Sequence, residues 1–339
     1  MGSYCLFTVA NYATDISGGN MKNITEVQKY YLGIDLGGTF IKGGIVDRLG
    51  NVIVKDKVPT QSEGGSDAVA QNIAKLTKAL LKKAGMQASD VVGMGMGVPG
   101  MIDSEAGEVI YSGNLNWEHF FIAEAVEKLT DIKVKIANDA NVAALGETKF
   151  GCGKQFNNTV LITLGTGVGG GIIVDGKLFE GNRSAGAEMG HSVIVAGGEP
   201  CSCGRKGCLE AYASATALIR DTKRAMQNNK NNLMWQVCEQ NVTGKTAFDY
   251  YDSDQSAKAV VDNYIEKLAV GLTNIANEFR PEAIMLGGGV CAQGDRLILP
   301  LREFVNKEIF GGNRGPKVEI LTATLGNDAG LLGAAALWF

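Results

Sequence analysis

The chain has 339 residues, 45% of them hydrophobic, with a net charge of −4. That length exceeds one typical core and predicts two domains, and the mild acidity offers no basic footprint for nucleic acid or an anionic membrane surface. No run of about 18 apolar residues occurs, which argues against a spanning helix, and residues 1–20 lack the basic-then-apolar pattern of a signal peptide, so a cytoplasmic protein is expected. Seven cysteines with scattered thiols at 5, 152, 238 and 291 fit a reducing compartment.

Residues 1–28 read as a leader or disordered arm. The first strand is expected over 30–36, a glycine turn follows at 37–39, and return strands lie at 41–47 and 52–58. Ser66 or Asp67 then offers an N-cap to an amphipathic helix in which Val69, Ile73, Leu76 and Leu80 recur at helical spacing, ending near Gly85. A buried strand over 91–98 closes at Pro99-Gly100, 121–129 is helical, and a short strand over 134–137 ends at Asn138-Asp139, with a helix from about Val142.

The second half repeats the opening. A strand over 159–164 turns at Gly165-Thr166-Gly167 and returns through 171–175, as Leu36-Gly37-Gly38-Thr39 does into 43–47. One supersecondary unit used twice predicts two related lobes, each opening with a glycine hairpin. Helical stretches at 211–229 and 254–279, a strand over 283–286 running into Gly287-Gly288-Gly289, and a last helix over 329–337 capped by Asn327 or Asp328 complete the pattern.

Two segments match GxGxxG, at 95–100 and 165–170, but neither runs into a helix, so the dinucleotide fingerprint fails, and no P-loop motif occurs. What remains is a nucleotide held by backbone amides. Glycine turns let N–H groups close on phosphate oxygens, Thr39 and Thr166 add hydroxyls, and Asp35 at a strand end is placed to hold magnesium. A single such turn could equally be a plain hairpin; two copies and a third cluster at 287–289 favour ligand binding. Asp139, at a strand tip before a helix, suits a general base for a substrate hydroxyl, although an Asp there can also be a simple N-cap.

The most specific signal is His191 with Cys201, Cys203 and Cys208, the donor set of a closed structural zinc site. Gly204 and Gly207 supply permissive backbone between the cysteines, and Glu188 and Glu210 bracket the set. Core cysteines are the alternative, weakened by the placement of one of only two histidines beside them.

These motifs together resemble the ROK (repressor, open reading frame, kinase) family of sugar kinases, over residues 31–339. The elements that carry the likeness are Asp35–Thr39, Gly97–Gly100, Asn138-Asp139, Leu164–Gly167, Glu188–His191, the cysteine cluster through Glu210, and Gly287–Val290. The resemblance implies an α/β, two-lobed actin-like (ribonuclease H-like) ATPase fold with a zinc-binding loop. It implies a small lobe over 29–140 plus 325–339 and a large lobe over 141–324 that carries zinc and sugar. It further implies glucose phosphorylation at the 6-hydroxyl by ATP, with Asp139 as base. Gly100, Asn114, Asn138, Asp139, Glu188, His191 and Glu210 would hold the sugar. Asp35, Gly37, Gly38, Thr39, Lys42, Gly165, Thr166, Gly167, Gly287, Gly288 and Gly289 would hold ATP and magnesium. His191 would serve both zinc and sugar, and a homo-oligomer, dimer or tetramer, is expected. Another hexose such as N-acetylmannosamine, fructose or allose, or a donor such as polyphosphate, stays open. A sugar-responsive repressor is the rival from another class, disfavoured because only about 30 residues precede the first strand, too few for a DNA-binding module.

Overall fold

The computed structural model describes residues 29–339, so the expected leader over 1–28, with Cys5, lies outside the described residues. The opening strands are β1 (Tyr30–Leu36), β2 (Phe40–Asp47) and β3 (Val52–Pro59), an antiparallel meander. β3 alternates half-buried and exposed residues as a half-covered edge strand should, whereas β1 is buried almost throughout as a central strand. Helix α1 (Gly65–Ala84) buries Val69, Ile73, Leu76 and Leu80 and ends on Gly85 in left-handed backbone (φ 69°). Its N-cap is Gly64, so Ser66 and Asp67 fall inside the first turn; a 3₁₀ turn over Ser62–Gly64 leads directly into the helix and displaces the expected start.

β4 (Val91–Val98) pairs parallel with β1. β5 (Met101–Asp103), β6 (Glu108–Ser112) and β7 (Trp117–Phe120) form a small antiparallel sheet not foreseen in the sequence. α2 (Ile122–Thr130) leads to β8 (Val134–Asn138), which completes a five-stranded sheet in the order β3-β2-β1-β4-β8. α3 (Asp139–Phe150) follows without a break.

The second lobe contains β9 (Thr159–Leu164), β10 (Val168–Val174), β11 (Lys177–Phe179), α4 (Glu210–Ala213), α5 (Ala215–Asn228), α6 (Thr246–Asp249), α7 (Gln255–Phe279), β12 (Ala283–Gly287), α8 (Asp295–Glu308) and β13 (Glu319–Thr322). Its sheet order, β11-β10-β9-β12-β13, reproduces that of the first sheet strand for strand. The internal echo in the sequence is thus a duplication of topology. The chain then returns through α9 (Ala329–Ala336) to pack on β1, β4 and α3. No helix among the described residues is long and apolar enough to cross a membrane.

α3 and α9 cross where Gly146 and Gly333 let their backbones touch. A Cβ at Gly333 would lie 1.6 Å from Val142 O, and one at Gly146 would lie 2.4 Å from Ala329 O. On the sheet side, Gly33 and Gly95 would meet Leu331 O and Ala334 O at 2.0 and 1.7 Å. α3 also packs on β10, so the expected lobe boundary between residues 140 and 141 falls inside a helix shared by both lobes. Glu147 of α3 is fully buried. It accepts Cys152 N–H (3.2 Å), Thr324 Oγ1–H (3.3 Å) and Leu325 N–H (2.7 Å), joining both segments by which the chain passes between the sheets.

Gly333→Ala should destabilise the protein by about 3 kcal/mol or more, because backbone rather than a flexible side chain blocks the new methyl. Gly289→Ala, facing open space, should stay within about 0.5 kcal/mol. Guanidinium unfolding of the two variants checks the contrast.

Candidate active site and metal centre

The site forms where strand ends of both sheets meet the N-terminus of α3. Asn138 caps that helix: its Oδ1 accepts Ala140 N–H (2.9 Å) and Asn141 N–H (3.4 Å). The helix therefore begins at Asp139 rather than near Val142, and the capping role considered for Asp139 belongs to its neighbour. Asn138 Nδ2 also donates to Gly100 O (3.0 Å), tying the turn after β4 to the helix start. Gly100 is required there, since its φ is 115° and a Cβ would lie 2.3 Å from Tyr111 O. With Oδ1 used as a cap, Asn138 keeps one N–H for a ligand.

Asp139 is left free by this arrangement. Its carboxylate is solvent-accessible, yet protein crowds it at longer range, and its hydrogen bond comes from Ala140 N–H (2.9 Å). Burial raises its pKa above the ordinary Asp range, the charges of Asp35 and Glu188 push it further up, and the Ala140 N–H opposes them. Three carboxylates thus share one field. Asp35 stands opposite Gly97 in the β1–β4 register, and a Cβ on Gly97 would lie 3.6 Å from the Asp139 Cα. Lys42, expected to serve the nucleotide, pairs with Asp35 (3.1 Å).

The two glycine turns flank this point. In the first, Gly37 N–H donates to Phe40 O (3.0 Å), while Thr60 holds it through Oγ1 to Gly37 O (2.6 Å) and N–H to Thr39 O (2.9 Å). Gly38 and Thr39 are exposed. In the second, Gly165 N–H donates to Gly167 O (3.0 Å), and Ala215 N–H and Thr216 Oγ1–H tether Gly165 O and Thr166 O, both at 2.8 Å. Gly288, with φ 98°, lies flat on the Leu164 backbone, so the third cluster abuts the second turn. Gly287, Gly288 and Gly289 line a cavity of about 500 Å³ with Thr163, Thr322 and Asn327.

The cysteine cluster assembles as its spacing demands. The ligand atoms of His191, Cys201, Cys203 and Cys208 all lie within 4.8 Å of one another. A tetrahedral zinc with bonds of about 2.3 Å to sulfur and 2.05 Å to nitrogen sets edges of about 3.8 Å and 3.6 Å. Cys203 Sγ and Cys208 Sγ are 3.8 Å apart, and Cys201 Sγ lies 3.5 Å from His191 Nδ1. The set therefore fits zinc, with Nδ1 as the ligating nitrogen. Burial, and then the neighbouring thiols, push the Cys208 thiol up to about 12, a cost that a dication removes. Gly204 and Gly207 both take φ 84° within the loop.

Glu210 links this loop to the second turn. Its Oε1 accepts Ser202 Oγ–H (2.6 Å) and its Oε2 accepts Val168 N–H (3.1 Å). Burial raises its pKa, but these bonds and nearby His191 outweigh it and hold the carboxyl below the usual range. Ser202 was not foreseen; the sole signal was its position between two ligand cysteines. Glu188 and His191 open on a cavity of about 480 Å³, lined from α7 by Gly271, Asn274 and Glu278. Asn114 lines a separate cavity of about 650 Å³ beside the start of α1, although its backbone carbonyl approaches Gly38. The structure therefore brings Asp35 and Glu188 into the field of Asp139, sets Glu188 and His191 on one cavity with Glu210 near His191, and places Asn114 on a different cavity.

The family model described as ROK family matches residues 31–339. The glucokinase of Halalkalibacterium halodurans is 38% identical over 317 residues, covering 91% of this chain and 94% of the relative. Among solved structures, a ROK family glucokinase from Streptomyces griseus in complex with glucose and AMPPNP superposes with a TM-score of 0.74 at 33% identity, covering 91% of this chain and 98% of that one. The ROK hexokinase of Thermus thermophilus gives 0.75 at 31% identity, covering 90% and 96%.

Metal analysis of the purified protein should find about one zinc per chain, and Cys203→Ala should lose it. Wild-type protein without zinc would refute the assignment.

Proposed function

The chain belongs to the ROK family, and from that membership we propose that it is an ATP-dependent glucokinase that phosphorylates the glucose 6-hydroxyl. The observation that carries this reading is Asp139: accessible, bonded only to a backbone N–H among the described residues, and raised in proton affinity at the end of α3. Such a group can accept the O6 proton as O6 bonds to the γ-phosphorus and the bond to the bridging oxygen of ADP breaks.

The remaining residues position the reactants. His191 Nε2 stays free when Nδ1 faces the cysteines, so it carries the ring proton and donates to a sugar hydroxyl. Glu188 and Glu210 accept from sugar hydroxyls, and the free N–H of Asn138 donates. Zinc, when bound, supplies a rigid anchor for His191 and the loop. On the donor side, the 37–39 and 165–167 turns present amides to phosphate oxygens, and the cavity beside Gly287–Gly289 suits the rest of the nucleotide. Asp35 would hold magnesium, which neutralises charge on the phosphates.

A panel of sugars and phosphoryl donors in a coupled assay tests the assignment. Glucose with ATP should give the highest kcat/KM; a value for glucose below about a tenth of the best sugar, roughly 1.4 kcal/mol of discrimination, would overturn it. Asp139→Asn should lower kcat by about 10²–10⁴ while glucose KM changes little. Because the base must be ionised, kcat/KM should fall as pH drops through the raised Asp139 pKa. Glu188→Gln removes one of the charges that raise it, so the acid limb should move to lower pH, as a pH–rate profile would show.

A further inference from the structure

The segment between β11 and His191 contains three non-glycine residues in left-handed backbone: Arg183 (φ 48°), Ser184 (φ 57°) and Ala187 (φ 63°). Residues in this region each cost on the order of 1–3 kcal/mol and persist only where surroundings hold them. The neck of the loop is closed by Gly186 N–H to Glu180 O (2.8 Å) and Ala185 N–H to Asn182 O (3.1 Å). Its tip reaches across to β5 of the other lobe.

Arg183 Nε donates to Asp103 Oδ2 (3.0 Å), and Asp103 is itself fixed by Ala106 N–H (3.1 Å). Ser104 N–H donates to Ser184 Oγ (3.2 Å), the two hydroxyls lie 2.7 Å apart, and Ser104 Oγ–H donates to Glu180 Oε2 (3.1 Å). One consistent proton assignment satisfies all three contacts, with Ser184 donating to Ser104 Oγ. Both ends of this bridge lead into the sugar site. β5 begins at the residue after Gly100, and Glu188 follows Ala187 directly.

We propose that Asp103, Ser104, Arg183 and Ser184 are positioning residues that clasp the two lobes beside the sugar site and fix Glu188 across from the Gly100 turn. This inference rests on the sugar-site reading above. The clasp acts on sugar affinity, because the tethered segment carries Glu188 and none of the nucleotide turns. Arg183 is 67% exposed, so its pairing with Asp103 is screened by salt.

Steady-state kinetics on the full-length enzyme test it, with Arg183→Ala, Asp103→Ala, the exchange Asp103→Arg/Arg183→Asp, and Glu188→Gln as control. Either alanine variant should raise glucose KM about three- to tenfold and leave ATP KM unchanged, and Arg183→Ala, whose side chain is exposed, should also keep its melting temperature. The exchange should bring glucose KM back toward wild type, and wild-type glucose KM should rise with salt more than that of Arg183→Ala. Unchanged glucose KM in both alanine variants, with Glu188→Gln impaired, would overturn the clasp and spare the site. An altered KM that the exchange fails to restore, accompanied by a lower melting temperature, would reduce the loop to a structural element and overturn it too. If Glu188→Gln also leaves glucose KM unchanged, the sugar site itself is misplaced and both fall.

Discussion

The structure depends on the near-contact of backbones where α3, α9 and the first sheet meet. Gly33, Gly95, Gly146 and Gly333 each occupy a position where a methyl group would overlap a main-chain carbonyl. Such a junction has no soft side chains to yield, so it holds α3 in one orientation against the first sheet. The other face of α3 lies on β10, where a Cβ on Gly171 would meet Ala144 Cβ at 2.7 Å and Asn141 Cα at 3.0 Å, a looser but still close approach. One helix therefore fixes both sheets, and Asp139 at its first position inherits that rigidity. The buried Glu147 carboxylate does the corresponding work near the other end, gathering Cys152 and Leu325 from the two chain crossings.

From this frame the site assembles outward in short steps. Gly190 packs on the Val168 carbonyl, a contact a Cβ would close to 2.0 Å, so the Glu188–His191 turn rests against the second glycine turn. Glu210 then joins the cysteine loop to the same turn through Val168 N–H. The cysteine loop, Glu188, Glu210 and the 165–167 turn thus form one continuous body rather than three separate pieces.

Much of this was legible because it is written in local pattern. The duplicated hairpins, the Val69–Leu80 stripe of α1 and the His–Cys spacing each leave a periodic or compositional mark. Contacts between distant residues leave none: nothing near Glu147 points to Leu325, and nothing near Asp103 points to Arg183. α3 was placed three residues late because Asp139-Ala140-Asn141 reads as loop chemistry until Asn138 is seen to cap it. The strands β5 to β7 are too short to show alternation, and α8 carries Pro300 in its interior, which masks a helical pattern. The Lys42–Asp35 pair is likewise set by strand register, which places opposite charges across from each other and leaves no local mark.

The return of α9 to β1 also dictates an order of assembly. Gly33 can acquire its neighbour Leu331 only after every intervening strand of the second sheet has been synthesised. Until then, the face of β1 and β4 that α9 covers stands open and apolar. Contacts so distant in sequence slow the search for the native state and expose a sticky surface to other chains. The nascent first lobe should accordingly be the vulnerable stage in biogenesis, the point at which a chaperone would have most to shield.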